Sequence, residues 1–162
     1  MMVHEAGLSE AEAVLEYGPG TGAFTNYILQ ELGPQTKFAA IEINPQFAAV
    51  FRETHPNVTI VEDSVENVRA ICDSLHIEFV DSVISGLPWA FFSESMQRRF
   101  LDQMMHVLKP GGRFVTFGYV QGLALPAARR LAALLPTYFT SVARSPVVWR
   151  NFPPAFVYRC RR

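Results

Sequence analysis

This sequence has few cysteines and no long apolar segment. The two cysteines, Cys72 and Cys160, are far apart and show no spacing typical of a metal site. No apolar run reaches the length of a membrane span, and the first residues do not resemble a signal peptide. These absences argue against a disulfide scaffold, a metal centre and an integral membrane protein. They predict free thiols in a reducing cytoplasm.

Acidic residues are absent from the last 60 positions. Residues 1–102 contain all fifteen Asp and Glu with five Lys and Arg, whereas residues 103–162 contain nine Lys and Arg and no acid. One interpretation is a solvated basic face without a partner. The other is that this part faces an anionic partner, either phospholipid head groups or nucleic acid phosphates. The first of these partners would place the protein on the inner face of a membrane.

The composition predicts one globular domain. A chain of 162 residues, 49% of them hydrophobic, can bury a single core. Strand-like apolar runs alternate with amphipathic segments, which predicts an α/β fold. The expected strands are 13–15, 37–43, 58–61, 79–84 and 113–119, followed by two β-rich segments at 139–148 and 155–160.

A strand, a glycine-rich turn and a helix follow one another between residues 13 and 32. Glycines occupy positions 18, 20 and 22, directly after the first apolar run. Such a unit cradles nucleotides, because glycines let the backbone turn sharply and approach a ligand that any Cβ would exclude. We expect the helix to begin at Thr21 or Gly22 and to present free N–H groups to a negative group.

The glycines alone fit either a dinucleotide or S-adenosylmethionine. Gly18-x-Gly20-x-x-Ala23 satisfies the loose dinucleotide fingerprint. Two details favour S-adenosylmethionine. Glu16 would attract an ammonium and a sulfonium but would contribute nothing to a pyrophosphate site. Pro19 removes an N–H group that a pyrophosphate could have used.

The turn also resembles a known family motif. Residues 16–22, Glu-Tyr-Gly-Pro-Gly-Thr-Gly, resemble motif I of the class I S-adenosylmethionine-dependent methyltransferases, and Leu-Lys-Pro-Gly-Gly-Arg-Phe at 108–114 resembles the same class. The resemblance implies a Rossmann-like, seven-stranded, mostly parallel sheet with helices on both faces and one antiparallel strand. It implies that the cofactor contacts Glu16, Gly18, Pro19, Gly20, Thr21 and Gly22.

Glu42 ends the second predicted strand. Its distance from the turn suits the acid that binds the ribose in nucleotide-binding βαβ units, since a carboxylate can accept hydrogen bonds from both hydroxyls of a diol. The alternative is that Glu42 only caps the next helix, for which Asn44 is the better cap. Ile43 follows it and completes this group of expected cofactor contacts.

Asp63 and Ser64 follow the third predicted strand. In the family that the turn resembles, an acid at this place contacts the adenine amino group, which implies that role for Asp63. Asp63 equally fits an N-cap for a helix over 65–75. We expect Ser64 and, after the fourth strand, Ser85 to contribute further cofactor contacts.

The loop after the fourth strand is rich in small and aromatic residues. Ligands of open α/β sheets bind at the carboxyl ends of the strands, so we expect this loop to cover the methyl-acceptor pocket. Trp89 would offer its π face to a cationic or planar amine. The alternative is a hydrophobic loop that packs on itself. The expected acceptor contacts are Gly86, Leu87, Pro88, Trp89 and Phe92.

Two methyltransferase families share further residues with this chain. The strand end Ala-Ile-Glu-Ile at 40–43 and the Gly-Leu-Pro-aromatic loop at 86–89 resemble the ribosomal RNA adenine dimethyltransferases. In that family an Asn at the start of the loop orients the base amino group, whereas this chain has Gly86. Residues 83–88 and the tail 144–159 resemble the bacterial phospholipid N-methyltransferases, and this second likeness spans nearly the whole chain.

These resemblances imply N-methylation of a phospholipid amine first and of RNA adenine second. The expected partner is therefore an anionic membrane surface or phospholipid, with RNA as the alternative. The phospholipid enzymes carry a basic amphipathic N-terminal helix that contacts the membrane and closes over the cofactor. We expect residues 1–162 to form a single domain without this lid.

The acceptor amine must lose a proton before it can take a methyl group. No His or carboxylate is placed to accept this proton, and Tyr17, Tyr119 or water are the candidates. Two other classes of function fit parts of the pattern. A dinucleotide-dependent oxidoreductase would use the same glycines, and a non-catalytic cofactor-binding module would fit the missing lid.

Overall fold

A computed structural model describes residues 6–162, and the first five residues of the predicted domain lie outside this range. The strands are β1 Ala13–Tyr17, β2 Lys37–Ile41, β3 Thr59–Val61, β4 Val80–Ser85, β5 Leu108–Tyr119, β6 Ser141–Arg144 and β7 Ala155–Arg161. The α-helices are α1 Thr25–Glu31, α2 Pro45–Thr54, α3 Val68–Ser74, α4 Glu94–Met105 and α5 Pro126–Tyr138. Short 3₁₀ turns cover Val65–Asn67, Trp89–Phe91 and Val120–Ala124.

The strands form one sheet in the order β3-β2-β1-β4-β5-β7-β6. Every pairing is parallel except those that β7 makes with β5 and β6. The strand order reverses between β1 and β4, which is where open α/β sheets bind ligands beyond the carboxyl ends of the strands. The predicted seven-stranded, mostly parallel sheet with an antiparallel strand is confirmed.

Helices cover both faces of the sheet. On one face, Leu101 of α4 and Leu135 of α5 belong to the same buried cluster as Leu15 of β1. On the other face, Ile28 of α1 packs with Val14 of β1. Successive side chains of a strand point to opposite faces, so β1 contributes to both cores. The prediction of helices on both faces is confirmed.

The first helix begins later than predicted. It was expected from Thr21 or Gly22, but α1 starts at Thr25. Gly20 and Gly22 have φ values of +57° and +88°, which a right-handed helix cannot contain. The glycine turn therefore lies outside the helix, and a contact between the free N–H groups at the helix start and a negative group stays a prediction.

One further segment differs from the sequence-based expectation. The predicted turn over 109–112 is part of β5, because Gly111 donates a backbone hydrogen bond to Arg162 and Gly112 accepts one from it. These bonds extend the pairing of β5 with β7. Among the described residues, no helix is both long and apolar enough to cross a membrane.

Candidate functional site

Backbone pairing continues past the ends of the central strands. Gly18 N–H donates to Ile41 O at 2.9 Å, and Gly86 N–H donates to Tyr17 O at 2.7 Å. Glu42 N–H donates to Val61 O at 3.0 Å. These bonds hold the residues that follow β1, β2 and β4 side by side at the carboxyl edge of the sheet. The edge is thus rigid before any ligand binds.

The glycine turn is packed on two sides and open on one. A Cβ added at Gly18 would lie 2.6 Å from Leu87 Cδ2, and one added at Gly22 would meet the His55 ring. A Cβ at Gly20 would have no atom within 4 Å. The φ of Gly20 is nevertheless positive, which favours glycine at this position. The open space beside Gly20 is the place where a ligand can approach the turn, and a side chain there would occupy it.

Glu42 is bound to the turn. Its Oε2 accepts from Gly20 N–H at 3.1 Å, and its Oε1 accepts from Asn44 N–H at 2.8 Å. The side chain of Asn44 caps α2 by accepting from Gln46 and Phe47, so the alternative that Glu42 serves only as that cap has no support. Each carboxylate oxygen keeps a further lone pair, which leaves Glu42 able to accept from a diol.

Glu16 is a buried carboxyl group beside the turn. Only 1% of it is exposed, and its Oε2 accepts from Thr25 Oγ1 at 2.7 Å. Burial raises its pKa to about 7, and the Thr25 hydrogen bond opposes this rise. The carboxyl group therefore holds its proton at a higher pH than an exposed glutamate does. A cation bound nearby would favour the ionised form.

The sequence offered two roles for Asp63, as a helix N-cap and as a contact for the adenine. Ser64, not Asp63, caps the 3₁₀ turn, because its Oγ accepts from Glu66 N–H at 3.2 Å. Asp63 Oδ1 accepts from Ser64 N–H and from Asn67 Nδ2. Its contact with the adenine stays a prediction, and so does that of Ile43, which is 68% exposed at the same edge.

The loop after β4 is anchored in the core and does not pack only on itself. Ser85 is wholly buried, and its Oγ accepts from Trp89 Nε1 at 3.0 Å and from Leu87 N–H at 3.3 Å. The Trp89 ring makes T-shaped contacts with Phe92, Phe100 and Phe114, with ring centroids 6.0, 6.1 and 5.8 Å away. Ser85 thus holds the loop in place, and its predicted contact with the cofactor stays a prediction.

Gly86 has no room for a side chain. A Cβ at this position would lie 2.5 Å from the backbone oxygen of Gly18, so the loop and the turn touch backbone to backbone. An Asn, as in the adenine dimethyltransferases that the loop resembles, would require one of these two segments to move. Pro88 is exposed, and Leu87 lies over Gly18.

The two tyrosines proposed as proton acceptors lie in different environments. Tyr17 is wholly buried, its hydroxyl has no hydrogen-bond partner, and burial raises its pKa well above 10. It points to the face opposite Glu16 and cannot reach a substrate, so we withdraw it as a proton acceptor. Tyr119, at the end of β5, is 39% exposed.

A cavity of about 280 Å³ lies on the other side of the loop from the glycine turn. Its walls come from the loop, the end of β5, the start of α5 and β7, and no charged side chain lines it. The sequence indicated only Trp89 and Tyr119 from this set, because most of the other lining residues are ordinary apolar residues of separate elements. They include Phe117, Leu123, Leu131 and Phe156.

The described residues contain no group of three or more His, Cys, Asp or Glu arranged for a metal. Cys72 and Cys160 are both buried and free. The candidate site consists of the glycine turn, the carboxyl groups of Glu16 and Glu42 at neighbouring strand ends, and the apolar cavity.

Comparison with known proteins identifies the family. Residues 14–112 match the profile of a family described as a methyltransferase domain. An ornithine lipid N-methyltransferase from Singulisphaera acidiphila is 31% identical over 154 residues, which are 93% of this chain and 76% of that protein. This chain belongs to the S-adenosylmethionine-dependent methyltransferases.

Other relatives of this methyltransferase are matched over shorter stretches. A ribosomal RNA small subunit methyltransferase A from Chlorobaculum parvum is 41% identical over 61 residues, 38% of this chain and 21% of that protein. A ubiquinone/menaquinone biosynthesis C-methyltransferase from Cupriavidus pinatubonensis is 25% identical over 119 residues, 72% of this chain and 47% of that protein. The chain spans less than half the length of these two relatives.

Solved structures share the fold. A SAM-dependent methyltransferase from Aquifex aeolicus aligns with a TM-score of 0.70 at 16% identity, covering 93% of this chain and 81% of the other. An O-methyltransferase from Bacillus cereus in complex with SAH aligns with a TM-score of 0.74 at 12% identity, covering 94% and 74%.

The residues at the carboxyl edge fit the cofactor of this family. S-adenosylmethionine supplies a methyl group on a sulfonium. Gly20 leaves the space that a nucleoside needs, Glu42 can accept from the ribose hydroxyls, and Glu16 can attract the ammonium of the amino acid part. No positively charged side chain is needed at the turn, because the ligand itself is cationic.

Gly20→Ala should weaken cofactor binding without unfolding the protein. The added Cβ occupies the open side of the turn, and we expect the Kd for S-adenosylmethionine to rise about tenfold or more, equivalent to about 1.4 kcal/mol. Gly111→Ala is the matched control, since Gly111 also has positive φ and open surroundings but lies at the far edge of the sheet. Both variants should lose about 1 kcal/mol of stability. Equal cofactor affinity in the two, measured by calorimetry, would contradict the site.

Glu16→Gln should change stability and binding in opposite directions. The pKa of Glu16 is raised on folding from 4.5 to about 7, so the wild type loses stability as the pH rises through this range. The loss approaches roughly 3 kcal/mol above pH 8. The Gln variant lacks this term and should be the more stable protein in denaturant at pH 8, with the difference vanishing near pH 4.

The same variant should bind S-adenosylmethionine more weakly at pH 8. In the wild type, cofactor affinity should fall as the pH drops below 7, because the protonated carboxyl group no longer attracts the ammonium. A flat affinity profile between pH 6 and 8 in the wild type would rule out this role for Glu16.

Proposed function

We propose that this methyltransferase methylates the amine of a lipid head group. The observation that carries the proposal is the cavity beside the loop after β4, which is apolar and has no charged lining residue. Such a cavity suits the hydrocarbon part of a lipid and disfavours a polyanion. The alignment with the ornithine lipid N-methyltransferase supports this assignment, since its 154 residues include elements beyond residue 112 that form the cavity.

In the proposed reaction the protein holds the acceptor and the cofactor in position and gives the proton of the acceptor ammonium a path to water. In this proposal the acceptor amine lies between the cofactor turn and the cavity. This position is supported by Leu87, which contacts the turn, and by Trp89 and Phe91, which line the cavity. Holding two reactants in a fixed geometry supplies much of the rate of a transfer reaction. Tyr119 lies on the cavity wall and is exposed, so its hydroxyl oxygen can accept a hydrogen bond from the ammonium and pass the proton to water.

Methylation of RNA adenine is the second candidate. The 41% identity to the ribosomal RNA methyltransferase over 61 residues favours it. Gly86 argues against it, because the Asn of the adenine enzymes has no space there. The apolar cavity likewise has no group that would pair with a phosphate.

Labelled cofactor should separate the two candidates. The protein is incubated with methyl-labelled S-adenosylmethionine and either detergent-dispersed ornithine lipid, detergent-dispersed phosphatidylethanolamine, or small-subunit ribosomal RNA. We expect label in at least one aminolipid and none in RNA. Label in RNA alone would overturn the lipid assignment in favour of the second candidate, and label in no acceptor would overturn both.

Filling the cavity should impair the acceptor and spare the cofactor. Ala128→Phe places a ring in the cavity from α5, so we expect the KM for the aminolipid to rise about tenfold or more while the cofactor Kd stays the same. Ala133→Phe, on the exposed side of the same helix, is the matched control. An unchanged KM in Ala128→Phe would show that the lipid binds elsewhere.

A further inference from the structure

Large apolar side chains are exposed around the carboxyl edge of the sheet. Four are more than two thirds exposed: Ile43 at 68%, Phe91 at 78%, Trp149 at 73% and Phe152 at 100%. Tyr119 and Leu125, at the cavity, are exposed to a lesser degree. Exposed apolar clusters of this kind mark interaction surfaces, whereas isolated apolar side chains do not.

The loop between β6 and β7 carries Trp149 and Phe152, and hydrogen bonds at its base hold its backbone in place. Ala155, the first residue of β7, pairs with Tyr119 at the end of β5, so this loop lies at the same edge as the cavity. Val148 N–H donates to Ala155 O at 2.8 Å, and Ser145 Oγ accepts from Val157 N–H at 3.0 Å. The loop is thus tied down at its base and still leaves its aromatic rings in solvent.

The basic residues of the C-terminal part do not form one face, as the charge pattern suggested. Of these nine residues, four lie at or near the amino edge of the sheet, where Lys109 pairs with Asp81 and Arg113 opposes Arg161. Arg159 lies midway along β7, opposite Val115 of β5. Four others lie towards the carboxyl edge, in the first turns of α5, at the end of β6 and in the β6–β7 loop. These are Arg129, Arg130, Arg144 and Arg150.

The β6–β7 loop combines apolar and cationic groups without acids. Arg150 lies between Trp149 and Phe152 and has no ion-pair partner within residues 6–162. Arg144 stacks over the Phe156 ring at 5.2 Å. Aromatic rings and arginines of this arrangement bind at the head-group level of anionic bilayers, where Trp and Phe insert and Arg contacts phosphates.

We propose that the carboxyl edge docks on an anionic phospholipid bilayer through Trp149, Arg150 and Phe152, together with Phe91 from the loop after β4 at the same edge. The proposal rests on the proposed function for its choice of partner, since the cavity opens at this edge and must receive its acceptor there. A protein or a second copy bound permanently on this edge would cover the cavity. The docking surface is defined here as Phe91, Trp149, Arg150 and Phe152.

Vesicles without any amine acceptor test docking apart from catalysis. In co-sedimentation with vesicles of phosphatidylglycerol and phosphatidylcholine, we expect the wild type to bind and the double variant Trp149→Ser/Phe152→Ser to bind at least about tenfold more weakly. The variant lacks the two aromatic rings that docking would bury in the bilayer. Phe79→Ser is the control, since Phe79 is 42% exposed at the opposite edge. Equal binding of wild type and double variant, or no binding by either, would overturn the proposal.

Tryptophan fluorescence gives a direct readout. The chain has two tryptophans, and Trp89 is buried, so an aqueous quencher reaches mainly Trp149. Adding anionic vesicles should protect Trp149 from quenching and shift its emission to shorter wavelength. Quenching that stays the same when vesicles sediment the protein would place another surface on the membrane.

Arg150→Gln should reduce binding to phosphatidylglycerol vesicles and flatten its salt dependence, whereas Arg161→Gln at the amino edge should not. Equal effects of the two would mean that net charge, not this surface, drives binding. Self-association of the wild type that the double variant abolishes, without vesicle binding, would assign the surface to a second copy.

Failure of docking and failure of the proposed function give different results. If the function is correct, the double variant should keep its activity on detergent-dispersed aminolipid and lose it on vesicles containing that lipid. Vesicle binding with no methylation of any aminolipid would overturn the function and leave the docking surface. Equal activity of both proteins on vesicles would overturn the docking surface and leave the function.

Discussion

The contact between the backbones of Gly18 and Gly86 is the constraint on which the site depends. The Gly18 carbonyl lies so near the Gly86 Cα that no Cβ fits between them, and Gly86 also donates to Tyr17 O. The glycine turn after β1 and the loop after β4 are therefore one rigid unit at the reversal of the strand order. The position of each wall of the site follows from this contact, because Glu42 is bound to the turn and Trp89 is anchored through Ser85.

Charge at this site is arranged for a cationic ligand. Two buried carboxyl groups flank the turn and no described basic side chain neutralises either of them by an ion pair. Glu16 avoids the cost of burial by holding its proton near neutral pH, whereas Glu42 accepts two backbone hydrogen bonds. A site that bound a pyrophosphate would need the opposite arrangement. The glycine fingerprint does not include these two carboxyl groups, and for this reason the fingerprint alone fitted either a dinucleotide or S-adenosylmethionine.

Local signals predicted the first four strands and the glycine turn better than the apolar cavity. The apolar runs and the spacing of the glycines predicted β1 to β4 and their order along the chain, and Asn44 was correctly expected to cap α2. The start of α1 was missed because φ values of the glycines are set by the turn, not by the helical periodicity. The cavity could not be predicted, since it forms only where β5, α5 and β7 meet. The burial of Tyr17 likewise follows from strand alternation combined with packing from the opposite side.

Leu87 lies between the glycine turn and the apolar cavity, where it can connect the two ligands of the proposed reaction. Its side chain rests on Gly18, while the residues two to four positions later form part of the wall of the apolar cavity. If the cavity holds the acceptor as proposed, a displacement of Leu87 by one ligand would reach the other, and any resulting change in affinity would have the same factor in both directions. Such reciprocity would let departure of the demethylated nucleoside loosen the hold on the methylated product, which ties turnover to the exchange of both molecules.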